Sequence, residues 1–345
     1  MKSIRTKILF LSIIIFVIAC QSDKEQKFKI IESFQVNEKL VSQIVELDTI
    51  PNCPRYLLTA GEFLVLLNYD GCDKYHIHVF DKNTLQFMGA FGTNGRGPNE
   101  LFAPIPRNVV NNDTLSGIWI YNQRHKKREL VDIAKSLDSR IYAVVNSTDK
   151  NIGSYRLMDD SIVNTSLGIK AMIPEISTNL TTDDRFQFYQ GEISWSEGNK
   201  YIVVAMKNAK RVDIFNTQLV HQVSISYRDS PKYINFNENE EASWHNTYAY
   251  FEEIYVNSHN QIYLLVHKRS LSGQLTDEYP EVHVFAMDGK ALARYPLDMN
   301  QVYLDYFFDE ENNCLFGLTY TDEGFHQIIR YHMPELNRNL ISGLK

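Results

Sequence analysis

Tyr201-Ile202-Val203-Val204-Ala205-Met206, then Val212-Asp213-Ile214-Phe215-Asn216, then Leu219 to Ile225: three short runs, rich in β-branched and aromatic residues and separated by turn formers. Such runs read as consecutive strands. The same order is written twice more. Phe63 to Leu67 is followed by a polar loop, by His78-Val79-Phe80-Asp81, by a turn at Lys82-Asn83 and by Leu85 to Phe91. Gln261 to His267 is followed by Val282-His283-Val284-Phe285, a turn at Asp288-Gly289 and Ala291 to Tyr295. No long apolar stripe at helical spacing competes, although residues 132–144 could supply a turn or two. One antiparallel unit therefore repeats along an all-β chain.

The spacing of the repeat sets the architecture. Phe80 and Phe215 end equivalent strands 135 residues apart, which leaves room for two further units. About 45 residues each is the length of a four-stranded propeller blade. Phe215 to Phe285 spans 70 residues, so that unit carries an insertion, assigned to residues 270–280. Gly117 to Tyr121 with Leu130 to Asp132 supplies a second blade, Tyr155 to Met158 with Ser161 to Asn164 a third, and Cys314 to Thr319 with Gln327 to Tyr331 a sixth. The expected fold is a six-bladed β-propeller of four-stranded blades, spanning residues 28–345 as one domain. Its last blade lacks a fourth strand, because Pro334 follows closely on Tyr331. The segment Gln43 to Leu47 is expected to fill that place and close the ring, since an open ring would leave a bare sheet edge.

The N-terminus reads as an export signal. Lys2, Arg5 and Lys7 precede an apolar run, Ile8 to Ala19, interrupted only by Ser12. That length suits a signal peptide and falls short of the roughly 20 residues of a spanning helix. Val17-Ile18-Ala19-Cys20 resembles the bacterial lipobox, which implies cleavage after residue 19 and a lipid on Cys20. Residues 20–27 then form the lipidated cysteine and a polar tether. Removing residues 1–19 takes the formal charge from -7 to about -10, which argues against nucleic acid as a partner. The protein is expected on the outer membrane, facing either the periplasm or the outside: Asp23, Lys24 and Glu25 resemble the export signals of surface lipoproteins, and such a run is also an ordinary solvated tether.

A family resemblance rests on one further stretch. Gly92-Thr93-Asn94-Gly95-Arg96-Gly97-Pro98-Asn99-Glu100-Leu101 is similar to the segment that follows the first blade in six-bladed TolB-like or NHL-like propeller lipoproteins of Gram-negative bacteria. The resemblance covers residues 1–335 and implies a binding protein more than an enzyme. The glycines do not form a dinucleotide loop, because Pro98 and the all-β context deny them a helix N-terminus. They are expected to let the chain cross between blades, with Glu100 and Arg96 hydrogen-bonding the crossing.

No catalytic motif is present, and no cofactor or metal is expected. His76 and His78 point to one strand face without a nameable third ligand. The basic run Arg124 to Arg128 reads as a solvated loop. In an oxidising compartment Cys53, entering the first strand of a blade, and Cys72, leaving the second, are expected to form a disulfide. Cys314 reads as a buried thiol. Ligand contacts are expected on the loops around the channel mouth, at Arg55, Tyr69, Arg96, Arg124, His125, Trp244 and His245, with Asp70, Lys207 and Lys268 nearby. Arg96 and either Arg55 or Arg124 are expected to share one face. Aromatic faces mixed with cations suit a glycan ring or a carboxylate. The leading reading is a non-catalytic cell-envelope lipoprotein, held to the membrane by its N-terminal lipid, that binds a peptide, glycan or protein. The alternative is a propeller enzyme of lyase or lactonase type with a metal in the central channel, which would need a ring of acidic, amide or histidine side chains from several blades.

Overall fold

The computed structural model describes residues 27–336, except 69–71, 96, 98–99, 113, 123–126, 140–143, 149–190, 197–199, 208–209, 217–219, 229–247, 271–275, 302 and 322. Three short strands come first: β1 (Lys27–Ile31), β2 (Val36–Asn37) and β3 (Gln43–Val45). Antiparallel meanders follow. Blade 1 holds β4 (Pro54–Ala60), β5 (Phe63–Asn68), β6 (Tyr75–Asp81) and β7 (Phe87–Thr93). Blade 2 holds β8 (Ile105–Asn112), β9 (Leu115–Asn122), β10 (Lys127–Asp132) and β11 (Val144–Thr148), with a helix, α1 (Ile133–Ser139), between the last two. Blade 4 holds β12 (Gly191–Trp195), β13 (Tyr201–Met206), β14 (Arg211–Asn216) and β15 (His221–Tyr227). Blade 5 holds β16 (Tyr248–Val256), β17 (Gln261–Ser270), β18 (Glu281–Ala286) and β19 (Ala291–Pro296). Blade 6 holds β20 (Tyr303–Asp309), β21 (Cys314–Tyr320) and β22 (His326–His332). The strands assigned to a third blade, Tyr155 to Met158 and Ser161 to Asn164, lie outside the described residues. The architecture is a six-bladed β-propeller.

The N-terminal strands travel along the outer rim. β1 lies parallel to β15, β2 parallel to β19, and β3 antiparallel to β22. Blade 6 thus takes its fourth strand from residues 43–45, while blades 4 and 5 each carry a fifth strand beyond the four expected. The boundaries also shift. The fourth strands of blades 1 and 4 begin at Phe87 and His221, two residues later than the sequence suggests, and Leu85 sits in the turn with φ 62°. The long fifth repeat has two sources: residues 271–280 separate β17 from β18, and residues 228–247 separate β15 from β16.

Blade 1 is buried on both faces, which explains why β5 is apolar at every position from Phe63 to Leu67. Phe63, Val65 and Leu67 point into a core shared with Ile118, Ile120 and Val131 of blade 2. Leu64 and Leu66 point the other way, toward Phe316, Leu318 and Ile328 of blade 6. Similar cores join blade 4 to blade 5 and blade 5 to blade 6. At the blade 6 to blade 1 seam, the Lys82 ammonium reaches Asp309 at 3.4 Å and Glu311 at 2.5 Å. Lys82 and Asp309 are almost wholly buried, so neither could lose its partner cheaply.

The glycine segment after β7 has a specific packing reason. Gly92 adopts φ 73° against Leu101. A Cβ on Gly95 would come within 2.1 Å of a Glu100 carboxylate oxygen, which accepts a hydrogen bond from the Gly97 amide. Leu101 is fully buried in the core of blades 1 and 2. The motif therefore folds a carboxylate back over its own glycines and pins the crossing with an apolar plug. Gly95→Ala should lower the melting temperature by displacing Glu100, and a variant melting like the parent would contradict this.

A disulfide joins Cys53 to Cys72, Cα to Cα 6.4 Å. Cys53 stands just before β4 and Cys72 just after β5. Asp73 adds to this clasp by accepting from the Asn52 amide at 2.9 Å and from the Asn68 side chain at 2.8 Å. In the chain-entropy model a loop of this size is worth about 3 kcal/mol. Cys72→Ser should lower stability toward urea by about that amount; an unchanged midpoint would contradict the contribution.

Candidate functional site

The first strand of each described blade lines the central channel, with β8, β4, β20, β16 and β12 neighbouring one another in that order. Near their starts, four of these five carry a one-residue shift in register. The shifts fall between Pro54 and Tyr56, Pro106 and Asn108, Phe251 and Glu253, and Tyr303 and Asp305. A bulge of this kind breaks the alternation of side chains and re-aims those beside it. In β12 the ladder stays regular, but Gly191 approaches the Ala205 carbonyl so closely that a Cβ would lie 2.3 Å from it. Charged residues occupy this end of every described inner strand: Arg55, Arg107, Glu192, Glu252 with Glu253, and Asp305.

Arg55, Glu192, Glu252, Glu253 and Asp305 form a mixed cluster at the channel mouth. Lys207, at the end of β13, pairs with Glu192 at 2.7 Å. Burial opposes its charge, yet Glu192, with Glu252 and Glu253 behind it, holds its pKa above the usual lysine range. Arg269 grips Glu252 with both arms of its guanidinium. Burial, with Glu192 and Asp305 nearby, pushes the Glu253 carboxyl well above the usual range despite Lys207. Burial likewise lifts Asp305 to about 7, against the Leu57 and Tyr306 amides and the Arg55 charge. The Leu57 amide donates to Asp305 at 2.6 Å, which ties blade 1 to blade 6 at the mouth.

Beneath the cluster, between blades 5 and 6, lies a cavity of about 30 Å3 lined by Glu253, Tyr255, Tyr263, Tyr306 and Phe308 among others. The Tyr306 ring stacks on Tyr303 with centroids 4.5 Å apart, and its buried hydroxyl has no hydrogen-bond partner among the described residues. Among the described residues, the mouth thus presents carboxylates whose burial opposes ionisation more than the nearby cations favour it. A donor or a positive charge entering there would be stabilised by them.

Most of the residues expected at the mouth from sequence lie outside the described residues: Tyr69, Asp70, Arg96, Arg124, His125, Trp244 and His245. Arg55 does stand at the mouth, exposed, at the bulge in β4. Lys207 and Lys268 are also on this end, the latter paired with Glu278 at 2.7 Å. The sequence reading missed Glu192, Glu253 and Asp305. Their signal was a carboxylate inside an otherwise apolar strand opening a blade, as in Phe251-Glu252-Glu253-Ile254 and Tyr303-Leu304-Asp305-Tyr306.

His76 and His78 belong to a repeated structural device. They stand four and two residues before Phe80, as Arg211 and Asp213 stand before Phe215, and Glu281 and His283 before Phe285. His76 is held by the Asn68 carbonyl at 2.7 Å and Asn94 at 3.2 Å. Arg211 binds Asp213 and Ser224, each at 2.8 Å. Burial disfavours charge on Asp213, but Arg211, His221 and Ser224 together hold its pKa below the usual range. His283 bridges Glu281 at 2.7 Å and the Tyr227 hydroxyl at 2.8 Å. The spacing that suggested a chelate is a polar layer within the blades. Among the described residues, no three His, Cys, Asp or Glu side chains lie close enough to hold a metal ion. Nor is any helix there long and apolar enough to cross a membrane. Cys314 opens β21 as a buried free thiol, 3.1 Å from the His332 ring.

Because Asp305 holds its proton in the fold to about pH 7 and the unfolded chain releases it near pH 4, this group stabilises the fold fully only at the acidic end. That contribution is lost as pH rises toward 7. Asp305→Asn keeps an acceptor for Leu57, so the melting temperature of this variant should fall less than the parent's between pH 4 and 7. Equal slopes in a pH series of melting curves would contradict the assignment.

Comparison with known proteins supports the architecture. A family model described as a TolB-like six-bladed propeller matches residues 37–306. No curated protein matches. Among solved structures, a candidate exported protein of Bacteroides fragilis aligns with a TM-score of 0.51 at 8% identity, covering 90% of this chain and 99% of that one. A DUF4221 family member from Bacteroides vulgatus aligns with a TM-score of 0.46 at 11% identity, over 86% of this chain and 96% of that one. A periplasmic gluconolactonase of Pseudomonas aeruginosa reaches only 0.30 at 9% identity, over 81% of this chain and 70% of that one.

Proposed function

The chain belongs to the TolB-like six-bladed propeller family, and from that footing we propose that it is a non-catalytic binding lipoprotein of the cell envelope whose ligand seats at the channel mouth. The observation that carries the reading is the convergence of Glu192, Glu253 and Asp305 from three inner strands, with Lys207 and Arg55 as the counter-charges that act on them among the described residues. A ligand that supplies the missing charge gains from carboxylates already fixed in place, with little ordering cost. The chemistry favours an amine or guanidinium, as on a lysine- or arginine-bearing peptide or protein, over the acidic or neutral sugar ligands suggested by the loop cations. The lipid on Cys20 holds the protein to the outer membrane, on its periplasmic or outward side. No observation at the mouth favours the lyase or lactonase reading.

Binding a cation requires Glu253 and Asp305 to ionise, so affinity should rise with pH through about 7. Calorimetric titration with arginine-rich peptides, and in parallel with neutral oligosaccharides, tests the reading. Cationic peptides should bind and weaken about tenfold in Glu253→Gln, a loss of about 1.4 kcal/mol. Binding of the sugars alone, or cation binding indifferent to Glu253→Gln, would overturn it.

A further inference from the structure

The rim strand β1 fixes a direction in which the chain joins the propeller. In blade 4 the mouth end is marked by one row of paired residues, Gly191, Met206, Arg211, Ser226 and Ile30. Lys27 pairs instead with Val223, in the row of Ile214, Val203 and Ser194, three residues farther from the mouth. At about 3.3 Å per residue this is roughly 10 Å down the blade. Because β1 is parallel to β15, it runs toward the mouth, and the preceding chain joins it from the opposite end. The Lys29 side chain follows the same geometry, reaching Asp288 in the far-end turn of blade 5 at 3.6 Å. In that turn Gly289 adopts φ 84°, and a Cβ on it would meet Val223 and Lys29 at 3.1 and 3.2 Å. The entering strand is therefore held between β15 of blade 4 and the Asp288–Gly289 turn of blade 5.

Only residues 21–26 separate Cys20 from β1. Seven peptide steps span at most about 25 Å, and about 15 Å as a flexible coil. With a lipid at Cys20, a bilayer touching the mouth would require the tether to reverse at Lys27 and climb the blade, using most of its average reach. A bilayer at the far end requires neither. The far end of blade 4 also carries the exposed Val220 in the turn before β15 and the exposed Lys200 before β13.

We infer that the anchored propeller rests with the far-end turns of blade 4 toward the bilayer, so that the charged channel mouth is presented to the aqueous side. This orientation rests on the lipidation of Cys20 and goes beyond the ligand reading. A soluble or surface-borne partner could reach Glu192 and Asp305, whereas a lipid headgroup of the same membrane could not.

Full-length lipoprotein reconstituted in phosphatidylethanolamine and phosphatidylglycerol vesicles doped with a nitroxide-headgroup lipid tests this. A fluorophore is attached at Lys200→Cys on the far end or at Arg228→Cys just beyond β15 on the mouth end, both exposed positions. Both variants should melt like the parent, and the label at residue 200 should be quenched at least twofold more than that at residue 228. Equal quenching, or the reverse order, overturns the orientation. Intact mass reports separately on the premise: a mature chain without a diacylglyceryl group removes the lipid reading and the orientation with it. The Cys20→Ala variant should leave the vesicles and show no quenching at either position, and quenching that persists there would place the contact elsewhere and overturn the inference.

Discussion

Blades 1, 5 and 6 each bury both faces against their neighbours, so none of these sheets is stable by itself and each depends on the next. This is the constraint from which the rest of the molecule follows. A single meander with Leu64 and Leu66 on one side and Val65 and Leu67 on the other would expose a full apolar face if either neighbour were missing. The greatest demand falls where the two ends of the chain meet. There β3 completes blade 6, Val45 enters the core beside Leu57 and Phe316, and the nearly buried Lys82 meets Asp309. The seam reaches the channel through the hydrogen bond from Leu57 to Asp305. A carboxylate at the functional mouth is thus also part of the closure.

The mouth owes its chemistry to backbone irregularity. A regular strand would turn alternate residues into the two inter-blade cores, where carboxylates cost too much without partners. Bulges at the starts of β4, β16 and β20 interrupt that alternation and let Arg55, Glu252, Glu253 and Asp305 gather around the axis. Their neighbours remain apolar, which is why burial dominates the pKa of both Glu253 and Asp305. The same low-dielectric surroundings that make these groups hard to ionise make them responsive to an arriving positive charge. Elsewhere the blades solve the problem differently. At Arg211, Asp213 and Ser224, and again at Glu281, His283 and Arg294, charged groups pair with one another inside the blade.

Much of this organisation was legible in the chain. The repeat shows itself because Phe80, Phe215 and Phe285 each end a strand at the same place in a blade. In all three the ladder to the following strand shifts by one residue just before the aromatic. The glycine segment was readable as a crossing, although the reason for Gly95, a carboxylate folded over it, was not. The channel residues were harder to see. Cations such as Arg55 attract notice because the sequence reading assigns them to loops, although Arg55 proves to lie inside β4, while Glu192, Glu253 and Asp305 look like ordinary outward positions of an alternating pattern.

Periodicity and residue type are local quantities, and they are enough to determine strands, turns and the repeat. They determined that this chain is a ring of β meanders with a disulfide-sized loop at its first blade. Only the tertiary structure decided which carboxylates share one space, because Glu192, Glu253 and Asp305 are far apart along the chain and meet through the closure of the blades. It also decided the path of the first strands along the outer rim. Three short segments with weak patterns of their own take their places from edges that the blades present, and such an edge exists only once those blades have folded.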